Sequence, residues 1–300
     1  MSDPTLNYLP CVDNGPGHRM AYWQWGNGQA AHTVVCVHGL SRQGRDFDVL
    51  AQALVACAAA SGQPIQVICP DVVGRGQSDW LADPNGYQLP TYAADMLALL
   101  AHLKPVTLDW VGTSMGGLIG MAVCAHAASV GVPVRRLVLN DVGPVIQWEA
   151  LARIGTYLGH VLQFGSLQQA ADAMWAISTS FGPHTPAQWL ELSRHMVKPL
   201  PDASAGVTLH YDPAIAVPFR TITQEAAAQG EAALWQLYDS LTAQTLLLRG
   251  AQSDLLSPQT AQQMTERGPR ARLLEFAGVG HAPTLIAPDQ VEAVASFLLA

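Results

Sequence analysis

The chain has 300 residues, of which 49% are hydrophobic and 13% charged, and its formal net charge is −8 at pH 7. This apolar content suffices for one sizeable core, yet no run of about 18 apolar residues is free of polar interruption, which argues against a membrane-spanning protein. The negative charge argues against a nucleic-acid partner, because phosphates would be repelled. The N-terminal segment MSDPTLNYLPCVDNGPGH lacks the basic-then-apolar order of a secretory signal, so we expect a cytoplasmic protein.

Strand-like and helix-like segments alternate along most of the chain. Short β-branched runs such as TVVCV at 33–37 are typical of strands buried on both faces. Strands are predicted at 20–25, 33–37, 65–69, 107–111, 136–140, 245–249 and 273–276. Helices are predicted between them at 46–60, 91–103 and 114–129, and at the end of the chain at 288–299. This alternation indicates an α/β fold with a mostly parallel sheet covered by helices on both faces.

The region between 141 and about 244 departs from this alternation, because it contains no convincing strand. Helix-like pieces are predicted there at 148–164, 167–180, 186–197 and 225–241, with Pro- and Gly-containing breaks between them. A helical insertion of about a hundred residues in an α/β domain is more typical of a lid than of a loop. We therefore predict a first core part at 1–145, a helical cap at 146–241 and a second core part at 242–300. An independent helical domain is the alternative.

The five cysteines are expected to be reduced. Their odd number leaves one unpaired, and none has the CxxC spacing of a zinc or redox motif. Cys36, Cys69 and Cys124 lie in apolar runs, where a reduced thiol behaves as a small hydrophobic group. We therefore predict no disulfide, no metal site and no redox role.

A serine lies between two glycines at the junction of a predicted strand and a predicted helix. Ser114 follows the strand TLDWV and is the centre of Gly112-Thr113-Ser114-Met115-Gly116. Such a sharp turn strains its central residue, and larger side chains at the two glycines would collide with the strand and the helix. The turn presents the hydroxyl at a helix N-terminus, where backbone N–H groups can stabilise an oxyanion. The pattern predicts a nucleophilic serine, with an ordinary glycine-rich turn as the alternative.

Four further motifs accompany this turn. They are VCVHGLSRQGRDF at 35–47, PDVVGRGQSD at 70–79, LLLRGAQSDLLSP at 246–258 and GVGHAPTL at 278–285. With the serine turn, they resemble the α/β-hydrolase fold superfamily in its lidded serine esterase and lipase branch. The resemblance extends from about residue 20 to the end of the chain. It implies an eight-stranded, mostly parallel sheet flanked by helices, with a helical cap inserted after the sixth strand.

The resemblance also implies a catalytic site. Ser114 is the expected nucleophile, His281 the base and Asp254 the acid, in the order Ser, Asp, His that this fold uses. In the family, the loop that begins at the HG pair carries half of the oxyanion hole. The backbone N–H groups of Leu40 and Met115 are therefore the expected oxyanion donors.

Other polar residues, within these motifs and outside them, are candidates for the same roles. Asp141 ends LVLND, one strand earlier than Asp254, where some relatives of the fold place their acid. The RGAQSD context favours Asp254, so Asp254→Asn is expected to lose turnover by orders of magnitude and Asp141→Asn is not. His38 and Asp71 resemble scaffold residues of the family, and we assign neither to catalysis.

Pocket residues are harder to predict. Arg42 and Arg45 can meet a substrate carboxylate at the pocket mouth, or they can pair with Asp46 or Asp48, which we favour. Trp148 is a candidate to face the pocket from the insertion, where it would favour an apolar acyl or aryl group.

Together, these features predict a carboxylic ester hydrolase that acts on a small molecule through an acyl-enzyme and needs no cofactor or metal. The main alternative is a carbon–carbon hydrolase of ring-cleavage products, which uses a similar triad. Those enzymes tend to carry a more glycine-rich loop after HG than the LSRQG of this chain. Lactonase or haloperoxidase-like activity and non-catalytic ligand binding are further alternatives. The sequence leaves open whether the chain forms a homodimer.

Overall fold

A computed structural model describes residues 3–12, 15–126, 131–202, 205–221 and 223–300. Its strands are β1 Thr5–Cys11, β2 His18–Gly26, β3 His32–Val37, β4 Ile65–Pro70, β5 Thr107–Thr113, β6 Val134–Asn140, β7 Gln163–Phe164, β8 Val197–Pro199, β9 Val207–Leu209, β10 Gln244–Gly250 and β11 Arg272–Phe276. Its helices are α1 Asp48–Ala60, α2 Leu89–Leu103, α3 Met115–His126, α4 Trp148–Tyr157, α5 Leu167–Ser178, α6 Pro186–Arg194, α7 Val217–Thr221, α8 Gln224–Asp239, α9 Pro258–Glu266 and α10 Pro288–Leu299. The predicted helix at 114–129 is thus α3, and the part at 127–129 lies outside the described residues.

Eight strands form one sheet in the order β1-β2-β4-β3-β5-β6-β10-β11. β2 pairs antiparallel with β1 and β4, and the pairs from β4 to β11 are parallel. The predicted eight-stranded, mostly parallel sheet is therefore confirmed. Because the carboxyl ends of parallel strands meet at one edge, the loops after β3, β5, β6, β10 and β11 converge there.

The first strand was not predicted. β1 pairs along its whole length with β2, from Thr5 opposite Gln24 to Cys11 opposite His18. It lies at the edge of the sheet, where Pro10 is tolerated because an edge strand leaves half of its N–H groups unpaired. The proline and the mixed burial of this strand explain why its sequence lacks a strand pattern.

Two apolar clusters cover the two faces of the sheet, because successive strand residues point to opposite sides. Val34 and Cys36 of β3 pack in the cluster that contains Leu50 and Leu54 of α1 and residues of α10. Val35 and Val37 pack in the larger cluster, which contains residues of α2, α3 and α8. Both faces of the central strands are shielded from solvent, which accounts for their continuous runs of β-branched residues.

The chain between β6 and β10 forms a separate set of elements, α4 to α8 and a small antiparallel sheet in the order β7-β9-β8. The prediction that this region contains no strand is wrong. Each of these strands has only two or three residues, which is too short to show a period of two. A cluster around Trp189, Met174 and Met196 gives this region a core of its own. We interpret it as the cap predicted at 146–241.

No helix among the described residues combines the length and the apolar character needed to cross a bilayer.

Candidate active site

The turn at Ser114 joins the end of β5 to the start of α3, as the motif requires. Ser114 has φ of 52°, in the left-handed region that a residue other than glycine rarely adopts. A Cβ on Gly112 would overlap the carbonyl of Gly116, and a Cβ on Gly116 would overlap the carbonyl oxygen of Val37. The two glycines therefore let strand, turn and helix approach closely enough to expose the hydroxyl.

Gly116→Ala is expected to destabilise the fold, because the added methyl meets backbone of β3 that has no room to move. We expect the free energy of unfolding to fall by about 1–3 kcal/mol or more, measured by urea denaturation. Gly230→Ala is the matched control, since no atom lies within 4 Å of a Cβ at this exposed position of α8. Alanine there should raise stability by about 0.5–1 kcal/mol through helix propensity. Equal effects of the two substitutions would contradict the tight packing of the turn.

His281 lies between Ser114 and an aspartate. Its Nε2 is 3.0 Å from the Oγ of Ser114, and its Nδ1 is 2.7 Å from Oδ2 of Asp141. A carboxylate can only accept a hydrogen bond, so Nδ1 carries the proton and Nε2 is left to accept from the serine hydroxyl. This arrangement can activate a serine hydroxyl as a nucleophile.

The carboxylate of Asp141 is fully buried and held by three donors. Its Oδ1 accepts from the backbone N–H of Gly250 at 2.9 Å. Its Oδ2 accepts from the hydroxyl of Ser253 at 2.6 Å and from His281. These bonds compensate for burying a charge and fix the orientation of the carboxylate toward the imidazole.

The structure places Asp254, the acid predicted from the sequence, away from His281. The side chain of Asp254 is 55% exposed and pairs with Arg153 of α4, with 2.6 Å between Oδ2 and Nη2. The loop after β10 does reach the site, but it contributes the Ser253 hydroxyl one residue earlier. The carboxylate next to His281 comes from the neighbouring strand, because Asp141 immediately follows β6 and has φ of 57°, which turns its side chain toward His281.

Asn140 is a buried site residue that sequence reasoning missed. Its Nδ2 donates to Oγ1 of Thr113 at 3.0 Å and to the carbonyl of Pro283 at 2.8 Å. It therefore ties the end of β6 to the residue before Ser114 and to the loop after His281. The only sequence signal was a polar residue at the end of an apolar strand, which is weak evidence by itself.

The two residues expected to supply the oxyanion donors belong to the start of α3 and to the loop after β3. Met115 follows Ser114 as the first residue of α3. Leu40 follows Gly39, at which a Cβ would lie 3.7 Å from the Cβ of Ser114. The fully buried Arg75 fixes this loop, since its Nε donates to the carbonyl of Leu40 at 2.8 Å and its Nη2 lies 3.8 Å from the sulfur of Met115. No sequence pattern pointed to this role of Arg75.

His38 and Asp71 are scaffold residues, as expected. Nδ1 of His38 donates to the carbonyl of Gly39 at 2.7 Å, and Nε2 accepts from the N–H of Val72 at 2.9 Å. Burial lowers the pKa of His38 to about 3, so the ring is neutral. Asp71 accepts from the N–H groups of Gly44 and Gln77, and burial raises its pKa to about 6. Both residues bind neighbouring loops rather than the serine.

A small pocket of about 40 Å³ adjoins the turn. Its lining includes Gly39, Phe47, Thr113, Phe181, Leu192 and Ala282. Arg42 also lines it, but its guanidinium is paired with Asp46, with 2.5 and 2.8 Å between the atoms. Arg45 pairs in the same way with Asp48. Trp148, the predicted pocket tryptophan, is half-buried at the start of α4 and is not among the lining residues.

Several known proteins are similar to this chain in sequence or structure. The model of the alpha/beta hydrolase family matches residues 34–296. The chain is 46% identical to the 3-hydroxybutyrate-oligomer hydrolase of Cupriavidus necator over 298 residues, 99% of this chain and 98% of that protein. It is 33% identical to an alpha/beta hydrolase of known crystal structure from Novosphingobium aromaticivorans, with a TM-score of 0.84 and coverage of 100% and 99%. It is 25% identical to Esterase Rv0045c of Mycobacterium tuberculosis, over 88% of this chain and 80% of that protein.

Proposed function

Because the chain belongs to the alpha/beta hydrolase family and is an ester hydrolase, we propose that Ser114, His281 and Asp141 are its catalytic triad. The observation that carries this proposal is the continuous pair of hydrogen bonds from Ser114 Oγ through the His281 ring to Asp141 Oδ2. Nucleophile, base and acid are thus joined in the order that acyl transfer needs.

The proposed reaction has two halves. His281 accepts the proton of Ser114 while Oγ attacks the ester carbonyl, and Asp141 stabilises the imidazolium that forms. Collapse of the tetrahedral intermediate breaks the bond to the alkoxide, which takes the proton from Nε2 and leaves as an alcohol. Water then attacks the acyl-enzyme, gives its proton to His281 and releases the acid, and the proton returns to Ser114. The backbone N–H groups of Leu40 and Met115 are the proposed oxyanion donors, a contribution typically worth about 10²–10³-fold per donor.

We propose short oligomers of 3-hydroxybutyrate as the substrate class. The support is the 46% identity to the Cupriavidus necator enzyme over nearly the full length of both proteins. Such an oligomer has ester bonds between short branched units, a hydroxyl at one end and a carboxylate at the other. Phe47, Phe181 and Leu192 offer an apolar wall for a short alkyl unit. Phe181 and Leu192 belong to the insertion, so the insertion supplies part of the wall against which the substrate would lie.

The experiment compares purified enzyme on 3-hydroxybutyrate trimer, p-nitrophenyl butyrate and a vinylogous diketone acid of the ring-cleavage type. We expect monomer and dimer to be released from the trimer, with kcat/KM at least about tenfold above that for the p-nitrophenyl ester, a difference of about 1.4 kcal/mol. Cleavage of the p-nitrophenyl ester without cleavage of the trimer would contradict the substrate class. Preference for the diketone acid would favour carbon–carbon hydrolysis instead.

A further inference from the structure

Three buried residues with metal-binding side chains meet far along the sheet from Ser114. Cys11 ends β1 and His18 begins β2, and the register places them directly opposite each other. Residues opposite each other on antiparallel strands point to the same face of the sheet. Asp95 of α2 meets them on that face, with its Oδ2 3.0 Å from Nε2 of His18. The exposed fractions are only 4% for Cys11, 6% for His18 and 2% for Asp95.

The donor atoms lie close enough to share one ion. The sulfur of Cys11, a ring nitrogen of His18 and a carboxylate oxygen of Asp95 are all within 4.8 Å of one another. Around a tetrahedral Zn²⁺ with bonds of about 2.0–2.3 Å, ligand atoms are about 3.3–3.8 Å apart. The side chains therefore need to shift by about 1 Å or less to reach this geometry. The Cys11 thiol donates to the carbonyl oxygen of Leu9 at 3.8 Å, and a metal–sulfur bond would replace this hydrogen bond.

The charges also match a divalent ion. A thiolate and a carboxylate carry two negative charges, which a divalent cation neutralises while the imidazole stays neutral. Neutral sites are favoured where the surroundings are dry, since an uncompensated buried charge is costly. One sulfur, one nitrogen and one oxygen donor suit Zn²⁺ and similar transition metals, whereas Mg²⁺ and Ca²⁺ prefer oxygen alone.

We propose that Cys11, His18 and Asp95 form a structural metal site of the Zn²⁺ type that ties the β1–β2 hairpin to α2. Binding replaces the thiol proton with a metal–sulfur bond and releases that proton to solvent, while the ring proton of His18 moves to Nδ1 so that Nε2 can bind the metal. The role is structural because β2 and β5 are three strand spacings apart, about 14 Å, which keeps the ion away from Ser114. The sequence alone predicted no metal site. Because β1 was not recognised as a strand, the pairing that places Cys11 opposite His18 could not be predicted.

The test is titration of chelator-treated protein with Co²⁺, followed by Zn²⁺. Wild type should bind one equivalent of Co²⁺ with a thiolate-to-cobalt charge-transfer band, and Zn²⁺ should displace it. Saturating Zn²⁺ should raise Tm by roughly 5–10 °C. The matched control is Cys57→Ser, which alters an exposed cysteine of α1 outside the cluster and should leave both results unchanged.

Cys11→Ser should lose the charge-transfer band and most of the Tm shift. Should Cys11→Ser fail to fold, as judged by circular dichroism, Asp95→Asn is the second variant, and it should bind Co²⁺ at least about tenfold more weakly. Absence of the charge-transfer band in Co²⁺-treated wild type would contradict the proposal. The three side chains would then form a hydrogen-bonded cluster without a metal. Equal binding by wild type and Cys11→Ser or Asp95→Asn would also overturn it, since the ion would then lie elsewhere.

Discussion

Asp141→Asn is expected to lower kcat by about 10³–10⁴-fold while leaving the protein folded. The asparagine amide has nearly the same shape as the carboxylate, so its oxygen can still accept from Gly250 or Ser253. The asparagine amide carries no charge to stabilise the imidazolium. Its NH₂ group, facing Nδ1 of His281, favours the tautomer with the ring proton on Nε2. That tautomer cannot accept the proton of Ser114. Steady-state kinetics on a p-nitrophenyl ester, with circular dichroism as the folding check, measure the effect.

Asp254→Asn is the matched control, because it makes the same chemical change at the aspartate predicted from the sequence. Its side chain is 55% exposed and bonded to Arg153, an ion pair worth about 0–1 kcal/mol at such a surface site. We expect kcat to stay within about twofold of wild type, since the lost pair touches neither Ser114 nor His281. A large loss for Asp254→Asn and a small one for Asp141→Asn would restore the assignment made from the sequence.

The contrast between these two aspartates shows where sequence reasoning stops. Asp141 and Asp254 follow β6 and β10, which are neighbours in the sheet, so both loops were correctly expected at the same edge. The backbone conformation decides which carboxylate faces His281. Asp141 has a positive φ, which no pattern in the sequence predicts. The loop after β10 directs Ser253 inward and Asp254 outward. Within this loop, one residue reaches the site and the next one is bonded to Arg153 at the surface.

The central architecture was predictable because its signals are local. Apolar β-branched runs marked the strands buried on both faces, and the glycines around Ser114 marked the sharp turn. The family and the ester-hydrolase class predicted from these motifs are confirmed by the comparisons. β1 escaped prediction because its proline and mixed burial hide the strand pattern. The strands of the insertion escaped because two or three residues are too few to show a period of two.

The pocket was the least predictable part. The guanidinium of Arg42 can bind either a substrate carboxylate or the carboxylate of Asp46. Only the side-chain positions in the structure show that Arg42 pairs with Asp46. Trp148 is a large apolar residue of the insertion, but its direction depends on how α4 packs. Contacts between the insertion and the core, such as that of Arg42 with the carbonyl of Leu192, have no sequence signature.

Ser114→Ala is expected to lower kcat by about 10⁵–10⁶-fold, because no other group can form the acyl-enzyme. The change removes one hydroxyl and keeps the Cβ, so the turn at φ of 52° should keep its shape and the fold its stability. Ser240→Ala is the matched control, since this exposed hydroxyl only donates to the carbonyl of Leu237 at the end of α8. Its turnover should equal that of wild type.

The central claim is that Ser114 is a nucleophile activated by His281 and Asp141, and covalent labelling with a fluorophosphonate probe tests it most directly. Intact mass and peptide mapping should find one adduct per chain, on Ser114, in wild type and in Ser240→Ala. Labelling should be slowed by orders of magnitude in Asp141→Asn, unchanged in Asp254→Asn and absent in Ser114→Ala. A folded wild type that stays unlabelled, or an adduct on another serine, would contradict the account.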